Sequence, residues 1–392
     1  MADNSLIEWT DATWNPVTGC AVVSPGCANC YAMRLAGGRL QHHPSRAGLT
    51  TPSKAGPVWN GQVRLNWDWL DQPIRWKRPR KIFVCAHGDL FAEGVPTSWI
   101  DRVYAAMMLA PQHTFQVLTK RSRRMRDYWT NSGEFGGEAA TAAMRIQGHA
   151  LEYLKTGRFH AAGYGPHYAA ELREHGGRLR RLPLTNVWHG VSVEDQDRDF
   201  RIRDLIETPS QVRFISAEPL IGPLLLPRVD FHCDLCGGTG ILARWPRGRC
   251  HQCNGRGILP AVSTDPKIGA PSTPMRRIDL VIVGGENGPR PMHPEWVRKI
   301  RDDCTITSTA FFFKQWGSHR PVRWSEDGQT PDFPPALALA VDGTVTRGPF
   351  PLETLPATAP RPRWCIMAEV GKSAAGRLLD GRTHDAMPEV RA

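Results

Sequence analysis

The chain has 392 residues, a formal net charge of +11 and 41% hydrophobic residues, which suits one large globular domain or two ordinary ones. It contains no apolar run long enough to cross a bilayer. The first residues, "MADNSLIEWTD", carry acids where a signal peptide has an apolar region. These features predict a cytoplasmic protein with no membrane partner, and they specify no oligomeric state.

The excess positive charge comes mostly from arginine. A basic surface attracts polyanions, and the planar guanidinium group fits phosphate. Nucleic acid is therefore a candidate partner. The alternative explanation is a GC-rich genome, which enriches arginine, glycine, proline and alanine throughout a proteome.

Three cysteines lie close together near the start of the chain, in "GCAVVSPGCANCYA" (19–32). Six residues separate Cys20 from Cys27, and two separate Cys27 from Cys30. In a reducing compartment, clustered cysteines are more often metal ligands or catalytic groups than disulfides. Three thiolates can bind three irons of a [4Fe-4S] cluster and leave the fourth iron open. A zinc site completed by a distant Cys or His, or three unliganded thiols, are the alternatives.

Short apolar, β-branched or aromatic runs recur along the chain and are predicted to be strands. After a first strand or extended entry in "IEWTDATWNPVTG", they are 81–89, 114–120, 186–194, 212–219, 278–286 and 310–317. Most are continuously apolar, as in strands covered on both faces, and helical patterns at 97–110 and 293–304 lie between some of them. This alternation predicts an α/β fold, a partial (β/α) TIM-like barrel of about six to seven parallel strands.

Each predicted run ends in polar or charged residues. They are His87, Asp89, Thr119, Lys120, Ser192, Glu194, Glu218, Glu286, Lys314 and Gln315. The carboxyl ends of parallel strands share one edge of a sheet, where active sites are built. We therefore expect a shared pocket that also contains the cysteine loop. The alternative is the ordinary polarity of loops.

A second cysteine motif, "CDLCGGTGILARWPRGRCHQC" (233–253), predicts an inserted zinc ribbon. Cys233, Cys236, Cys250 and Cys253 form two C-x2-C pairs, which is the pattern of a closed tetrahedral zinc site. The motif resembles the zinc-binding repeats of DnaJ-type chaperones. Arg244 and Trp245 between the pairs suit phosphate binding and base stacking, although a solvated charged tip is the alternative.

Three basic stretches that contain or adjoin aromatic residues are candidate nucleic-acid contacts: 74–81, 119–129 and 171–182. The second follows the third predicted strand directly and contains Lys120, Arg121, Arg123 and Arg124. Lysine and arginine can neutralise phosphates while tryptophan and tyrosine stack on a flipped base. Each stretch taken alone is also compatible with a solvated helix face.

The predicted organisation has four parts. Residues 1–227 form the first part of the barrel, with the cysteine loop and a helical insertion at about 130–185. Residues 228–262 form the zinc ribbon and residues 263–320 the last part of the barrel. Residues 321–392 form a Pro-rich C-terminal extension with a final helix in "GKSAAGRLLDG".

Several stretches of the sequence resemble a known family. "IEWTDATWNPVTGC", "SPGCANCYA", "HGDLF", "PQHTFQVLTKR", "GVSVEDQ", "RFISAEPL", "VIVGGENG", "FFFKQWG" and "GKSAAGRLLDGR" look like the three-cysteine-motif family often encoded in phage genomes, from about residue 7 to 387. That family is similar to radical S-adenosyl-L-methionine (SAM) enzymes of the spore photoproduct lyase type. This chain departs from the commonest radical SAM loop, which has three residues between its first two cysteines and an aromatic residue before the last.

The resemblance implies a radical SAM enzyme with a [4Fe-4S] cluster on Cys20, Cys27 and Cys30. The expected activity is of the lyase or DNA repair type, either repair of a UV photoproduct or base modification. An electron-donor protein is a further candidate partner. The alternatives are a non-catalytic DNA-binding protein stapled by zinc or iron, and a radical SAM enzyme acting on RNA or a small molecule.

SAM needs polar acceptors for its ribose hydroxyls, and acids often serve nucleotide ribose in this way. Ser192, Glu194 and Glu218 are therefore predicted to bind SAM. Glu286 follows two glycines that permit close approach of a ligand, so it is predicted to contact SAM or substrate. The alternative is that these acids pair with basic residues such as Lys314 or Lys120 and only brace the barrel. No catalytic residue is assigned.

Overall fold

The seven predicted strands form one parallel sheet in the computed structural model of the chain. The strands are β1 (Ala12–Trp14), β2 (Lys81–Val84), β3 (Thr114–Thr119), β4 (Val187–Ser192), β5 (Val212–Ala217), β6 (Leu280–Gly284) and β7 (Ala310–Gln315). Their order in the sheet is their order in the chain. This arrangement confirms the predicted fold class, an α/β partial barrel.

The structure describes residues 5, 7–131, 133–135, 138–161, 167, 171, 183–226, 230–232, 241–242, 248–249, 258–260, 278–322, 336–347 and 364–388. Every position of β4, β5 and β6 is buried. Strands of this kind are covered on both faces, which explains why their sequences are apolar without alternation.

The described helices are α1 (Tyr31–Ala36), α2 (Gln72–Arg75), α3 (Thr97–Leu109), α4 (Ser122–Thr130), α5 (Ala142–Thr156), α6 (Phe200–Glu207), α7 (Pro294–Ile306) and α8 (Lys372–Ala375). Within the described ranges, no helix combines the length and the apolar character needed to cross a membrane.

Local sequence signals set the ends of the longer helices. His293 caps α7, where its Nδ1 accepts the N–H of Glu295 at 3.1 Å, and Pro294 takes the first helical position. Thr141 caps α5, which ends at Gly157 with a φ of 74°. The helical pattern predicted upstream of Thr141 is not helical throughout, because Glu138–Ala140 pairs antiparallel with Gly133–Phe135.

The chain divides into two compact units. The first comprises residues 1–192 and 204–213, and the second comprises residues 193–203 and 214–392. Strands β1 to β4 belong to the first unit, β6 and β7 belong to the second, and the boundary falls within β5. This division is coarser than the predicted four-part organisation and uses other boundaries.

An inserted segment lies between β5 and β6, where the zinc ribbon was predicted. Its described strands form two antiparallel pairs: Asp230–His232 with Ile258–Pro260, and Ile241–Leu242 with Gly248–Arg249. The predicted zinc ligands Cys233, Cys236, Cys250 and Cys253 lie outside the described residues, as do Arg244 and Trp245. The zinc site therefore stays a prediction.

The C-terminal part of the second unit contains a four-stranded antiparallel sheet. In spatial order its strands are His319–Pro321, Cys365–Glu369, Ala336–Leu339 and Val345–Arg347. The final helix, α8, is shorter than predicted. It stops at Gly376, whose φ is 70°. Trp316, directly after β7, donates its backbone N–H to Gly376 O and its indole N–H to Leu378 O.

Candidate functional site

The cysteine loop follows the carboxyl end of β1 in the first unit. Residues Val17–Thr18 pair with Arg64–Leu65, and the N–H of Gly19 then donates to His87 O, just beyond β2, at 3.2 Å. A Cβ on Gly19 would lie 2.2 Å from a backbone oxygen, and its φ is +95°. Only glycine fits this entry to the loop.

All three thiols of the loop are free. Cys20 and Cys30 are half-buried and pack against one apolar cluster, formed by Ala32, Met33, Ala36, Leu49 and Trp59. Cys27 is buried, with its Sγ 3.8 Å from Ser24 Oγ. The loop therefore places two of its three thiols beside one apolar surface.

In the part of the chain that the structure describes, no group of three His, Cys, Asp or Glu side chains could hold a metal ion. An iron–sulfur cluster makes a different demand, because each thiolate ligand binds a different iron. Three thiols on one loop, two of them beside an apolar surface, fit the donor chemistry of such a cluster.

The side chain of Arg121, which follows β3, contacts the cysteine loop directly. Its Nη1 donates to Cys20 Sγ and to Asp89 Oδ2, both at 3.3 Å, and its Nη2 donates to Ala21 O at 3.0 Å. Its Nη2 also lies 3.0 Å from Glu93 Oε2. The guanidinium is buried, with 6% of the side chain exposed. We call these four residues, Arg121, Asp89, Glu93 and Cys20, the Arg121 cluster.

Asp89 holds the ends of β2 and β3 together. Its Oδ1 accepts the N–H of Phe91 at 2.9 Å and the hydroxyl of Thr119 at 2.7 Å. Its Oδ2 accepts the N–H of Lys120 at 3.0 Å. The carboxylate therefore keeps three donors besides Arg121.

Burial and the charge of Asp89 raise the pKa of the Cys20 thiol to about 12, against the opposing effect of Arg121. Without a metal, Cys20 is therefore a thiol, and a metal that binds there must displace its proton. Burial and the charge of Arg46 lower the pKa of His87 to about 4. His87 is thus neutral beside the loop, with the ring of Tyr31 edge-on at 6.0 Å.

The predicted nucleic-acid contacts after β3 have different environments. Arg121 is buried in the Arg121 cluster, and Arg124 is half-buried and donates to backbone carbonyls within residues 91–95. Lys120 is half-buried, whereas Arg123 is exposed. Of these four side chains, Arg123 is therefore the one most open to a phosphate.

The acids predicted to bind SAM have ionic partners in the second unit. Glu194 is fully buried and lies 2.8 Å from Arg201, and Glu218 lies 2.7 Å from Lys314. Glu286 accepts from Arg290 Nε at 3.0 Å. Ser192, the last residue of β4, is buried in the first unit. Lys314 is one of the cations named in the alternative interpretation, in which these acids only brace the barrel. Glu218 is the most exposed of the three acids.

The two glycines at the end of β6 lie close to other groups of the protein itself. A Cβ on Gly284 would lie 3.1 Å from Glu218 Cδ, and one on Gly285 would lie 2.0 Å from Trp316 O. The groups that approach these glycines closely are Glu218 and the backbone after β7, and the predicted approach of a ligand stays a prediction.

One family model, described as "Protein of unknown function (DUF5131)", matches residues 4–388. The chain belongs to this family. No curated protein and no solved structure matches the chain. The match spans the cysteine loop, the inserted segment and the strand-end acids, so all three lie within the extent of the family.

Glu93 is the member of the site that the sequence did not single out. It lies four residues after Asp89, in the same connection between β2 and α3, and binds Arg121 through Nε and Nη2. An acid so close to the end of an apolar run is the signal that was available.

Proposed function

We propose that the protein is a radical SAM enzyme that acts on nucleic acid, with repair of a DNA lesion or modification of a base as its reaction. Cys20, Cys27 and Cys30 would hold a [4Fe-4S] cluster. The observation that carries this proposal is the set of three free thiols on one loop at the carboxyl end of a parallel strand, with a buried arginine bonded to one of them.

A cluster held by Cys20, Cys27 and Cys30 would supply the single electron needed for reductive cleavage of the sulfur–C5′ bond of SAM. The protein itself would hold the cluster and exclude water from one side of it. The apolar cluster beneath Cys20 and Cys30 keeps water from one side of the loop. Arg121 places a positive charge beside the sulfur of Cys20.

The proposed SAM contacts are Ser192, Glu194, Glu218 and Glu286. Glu218 is the strongest candidate for the ribose hydroxyls, because a fifth of its side chain is exposed (20%) and a carboxylate can accept both hydroxyls. Glu194 has no exposed side-chain surface, so its support for SAM would act through Arg201 and the backbone.

A nucleic-acid substrate is favoured by the net charge of +11 and by two exposed arginines, one close to the cysteine loop in the sequence and one close to Arg121, which contacts that loop. Arg34 lies four residues after Cys30, and Arg123 lies two residues after Arg121. Arg244 and Trp245 would extend the contact, and Cys233, Cys236, Cys250 and Cys253 would hold a structural zinc ion.

Anaerobic iron and sulfide analysis tests the central claim. We expect about four irons and four sulfides per chain, and cleavage of SAM to 5′-deoxyadenosine under dithionite. The Cys27→Ala variant should lose both, whereas Cys365→Ala, which removes a free cysteine of the second unit, should lose neither. Iron-free wild-type protein, or a full complement of iron in Cys27→Ala, would contradict the proposal.

Two further measurements separate the alternatives. Turnover with UV-irradiated DNA, unirradiated DNA and RNA distinguishes lesion repair from base modification and from an RNA substrate. The Cys233→Ser variant should lose zinc, keep iron and become protease-sensitive within residues 228–262, because a ribbon without its metal has too small a core. A non-catalytic DNA-binding protein would bind DNA without cleaving SAM.

A further inference from the structure

A charged hydrogen-bond donor points at one of the three thiols. Arg121 Nη1 lies 3.3 Å from Cys20 Sγ. A neutral thiol is a weak acceptor, whereas a thiolate forms a charge-assisted bond with guanidinium. The contact is therefore most favourable when the sulfur of Cys20 carries negative charge, as it does when it is a metal ligand.

The guanidinium is held in place independently of the sulfur. Glu93 binds its Nε and Nη2 at 3.0 to 3.2 Å, Ala21 O binds Nη2 and Asp89 binds Nη1. Arginine is suited to binding several acceptors at once, because its guanidinium carries five donors in a rigid fork. The direction of the N–H toward sulfur is thus fixed before any metal binds.

The burial of Arg121 strengthens the effect of its charge on neighbouring groups. At 6% exposure of its side chain water screens it little, and a charge in such surroundings acts more strongly than one at the surface. Hydrogen bonds to ligand sulfurs and local charge are two of the factors that set the reduction potential of an iron–sulfur cluster, and neighbours of the ligands tune a metal site in general.

We propose that Arg121 is a positioning residue that raises the reduction potential of the cluster, by donating Nη1–H to the sulfur of Cys20. The inference rests on the proposed function. The couple concerned is the gain of one electron by the oxidised cluster, supplied in the test by dithionite. The reduced cluster carries more negative charge on its ligand sulfurs, so the arginine stabilises the reduced state more than the oxidised one.

The test is an anaerobic potentiometric titration of the full-length protein, followed by the electron paramagnetic resonance signal of the reduced cluster. In Arg121→Gln we expect the ratio of reduced to oxidised cluster at a fixed potential to fall about ten-fold, which is ~59 mV for a one-electron couple. Arg121→Lys, which keeps the charge but not the fork, should lie between Arg121→Gln and the wild type.

Arg123→Gln is the matched control, because it removes one positive charge two residues away from an exposed position. It should leave the potential unchanged. Asp89 keeps three other donors in Arg121→Gln, so the turn it organises should persist. If Arg121→Gln does not load a cluster, the comparison of Arg121→Lys with the wild type decides.

Equal potentials in the wild type and the loaded Arg121 variants would overturn the inference and leave the proposed function standing. Equal shifts in Arg121→Gln and Arg123→Gln would also overturn it, because the effect would then be one of net charge. A wild-type protein without iron and sulfide would overturn both.

Discussion

The strand ends of the two units look alike in sequence and differ in structure. In the first unit, groups that follow β2 and β3 converge through Arg121 on the thiol of Cys20. In the second unit, each acid has a cation of its own: Glu194 has Arg201, Glu218 has Lys314 and Glu286 has Arg290. Polar residues after an apolar strand therefore do not by themselves make a site.

The difference lies in what the charged groups bind. The pairs of the second unit each join one carboxylate to one cation. The Arg121 cluster contains one guanidinium, two carboxylates and a thiol, and the guanidinium donates to the weakest acceptor among them. An arrangement that directs a charged donor at sulfur is better explained by a ligand role for that sulfur than by bracing.

The largest effect is expected from breaking the most deeply buried pair of the second unit. Arg201→Leu should destabilise the protein by about 3–5 kcal/mol, because it leaves the carboxylate of Glu194 buried without its cation. Replacing both residues with leucine should recover most of that loss. Lys314→Met, which breaks the more exposed pair with Glu218, should cost less. Urea unfolding midpoints compare the three variants.

If Arg201→Leu and Lys314→Met lose the same free energy of unfolding, burial does not distinguish the energetics of the two ion pairs. A double variant no more stable than Arg201→Leu would mean that Glu194 is held by contacts other than its ion pair.

The second prediction asks whether any acid of the second unit also binds a ligand. Glu218→Gln should weaken SAM binding about ten-fold or more, since a hydrogen bond to a charged group contributes about 1.5–3 kcal/mol. Its cluster content should stay normal. Calorimetric titration of SAM into reconstituted protein measures this.

Glu194→Gln provides the contrast, because this side chain is fully buried and paired. It should change stability more than SAM affinity. If neither Glu218→Gln nor Glu286→Gln changes the affinity, the acids of the second unit only brace the sheet.

Strands β4, β5 and β6 could be predicted from sequence because burial on both faces demands continuous apolar runs. The pairing of the acids could not be predicted in the same way. Glu218 and Lys314 lie 96 residues apart, and their contact depends on the register of β5, β6 and β7. The sequence offered Lys314 as one partner among others, and the register selects it.

The spacing of the three cysteines showed that they share one loop, and their role as ligands stays a prediction, whereas the inward position of Arg121 was missed. The run "TKRSRRMRDYW" contains several basic residues, and composition alone gives them equal weight. Helical spacing separates them: Arg121, Met125 and Tyr128 are four and three residues apart and are all buried. Arg123 falls on the opposite face and is exposed.

The third prediction concerns the pH dependence of stability, to which a buried histidine of the first unit contributes. His189 in β4 is buried between Tyr104 Oη at 2.8 Å and Ser210 Oγ at 2.9 Å. Because Ser210 Oγ donates to Val212 O, it accepts from Nδ1–H, and Nε2 accepts the hydroxyl of Tyr104. This neutral tautomer satisfies both ring nitrogens.

Burial and the charge of Arg213 lower the pKa of His189 from 6.5 to about 3. The unfolded chain therefore binds a proton that the folded chain rejects. Stability from this group is complete above pH 6.5 and is lost as the pH falls toward 3, with a loss of about 2 kcal/mol at pH 5. His189→Gln should remove this part of the pH dependence of urea unfolding, and identical profiles would contradict the assignment.

The smallest expected effect tests the division between exposed and buried arginines of the first unit. Each phosphate contact contributes about 0.9 to the slope of log affinity against log salt concentration for duplex DNA. Arg123→Gln should lower the slope by about that amount and weaken binding a few-fold, because its exposed side chain can reach a phosphate. Arg124→Gln removes the same charge one residue later, but that guanidinium donates to backbone carbonyls, so it should lower stability and leave the slope nearly unchanged.

Equal slopes in the two variants would show that exposure does not select the contacts. A slope near zero in the wild type would favour a small-molecule substrate, because binding without counterion release is not binding to a nucleic-acid backbone.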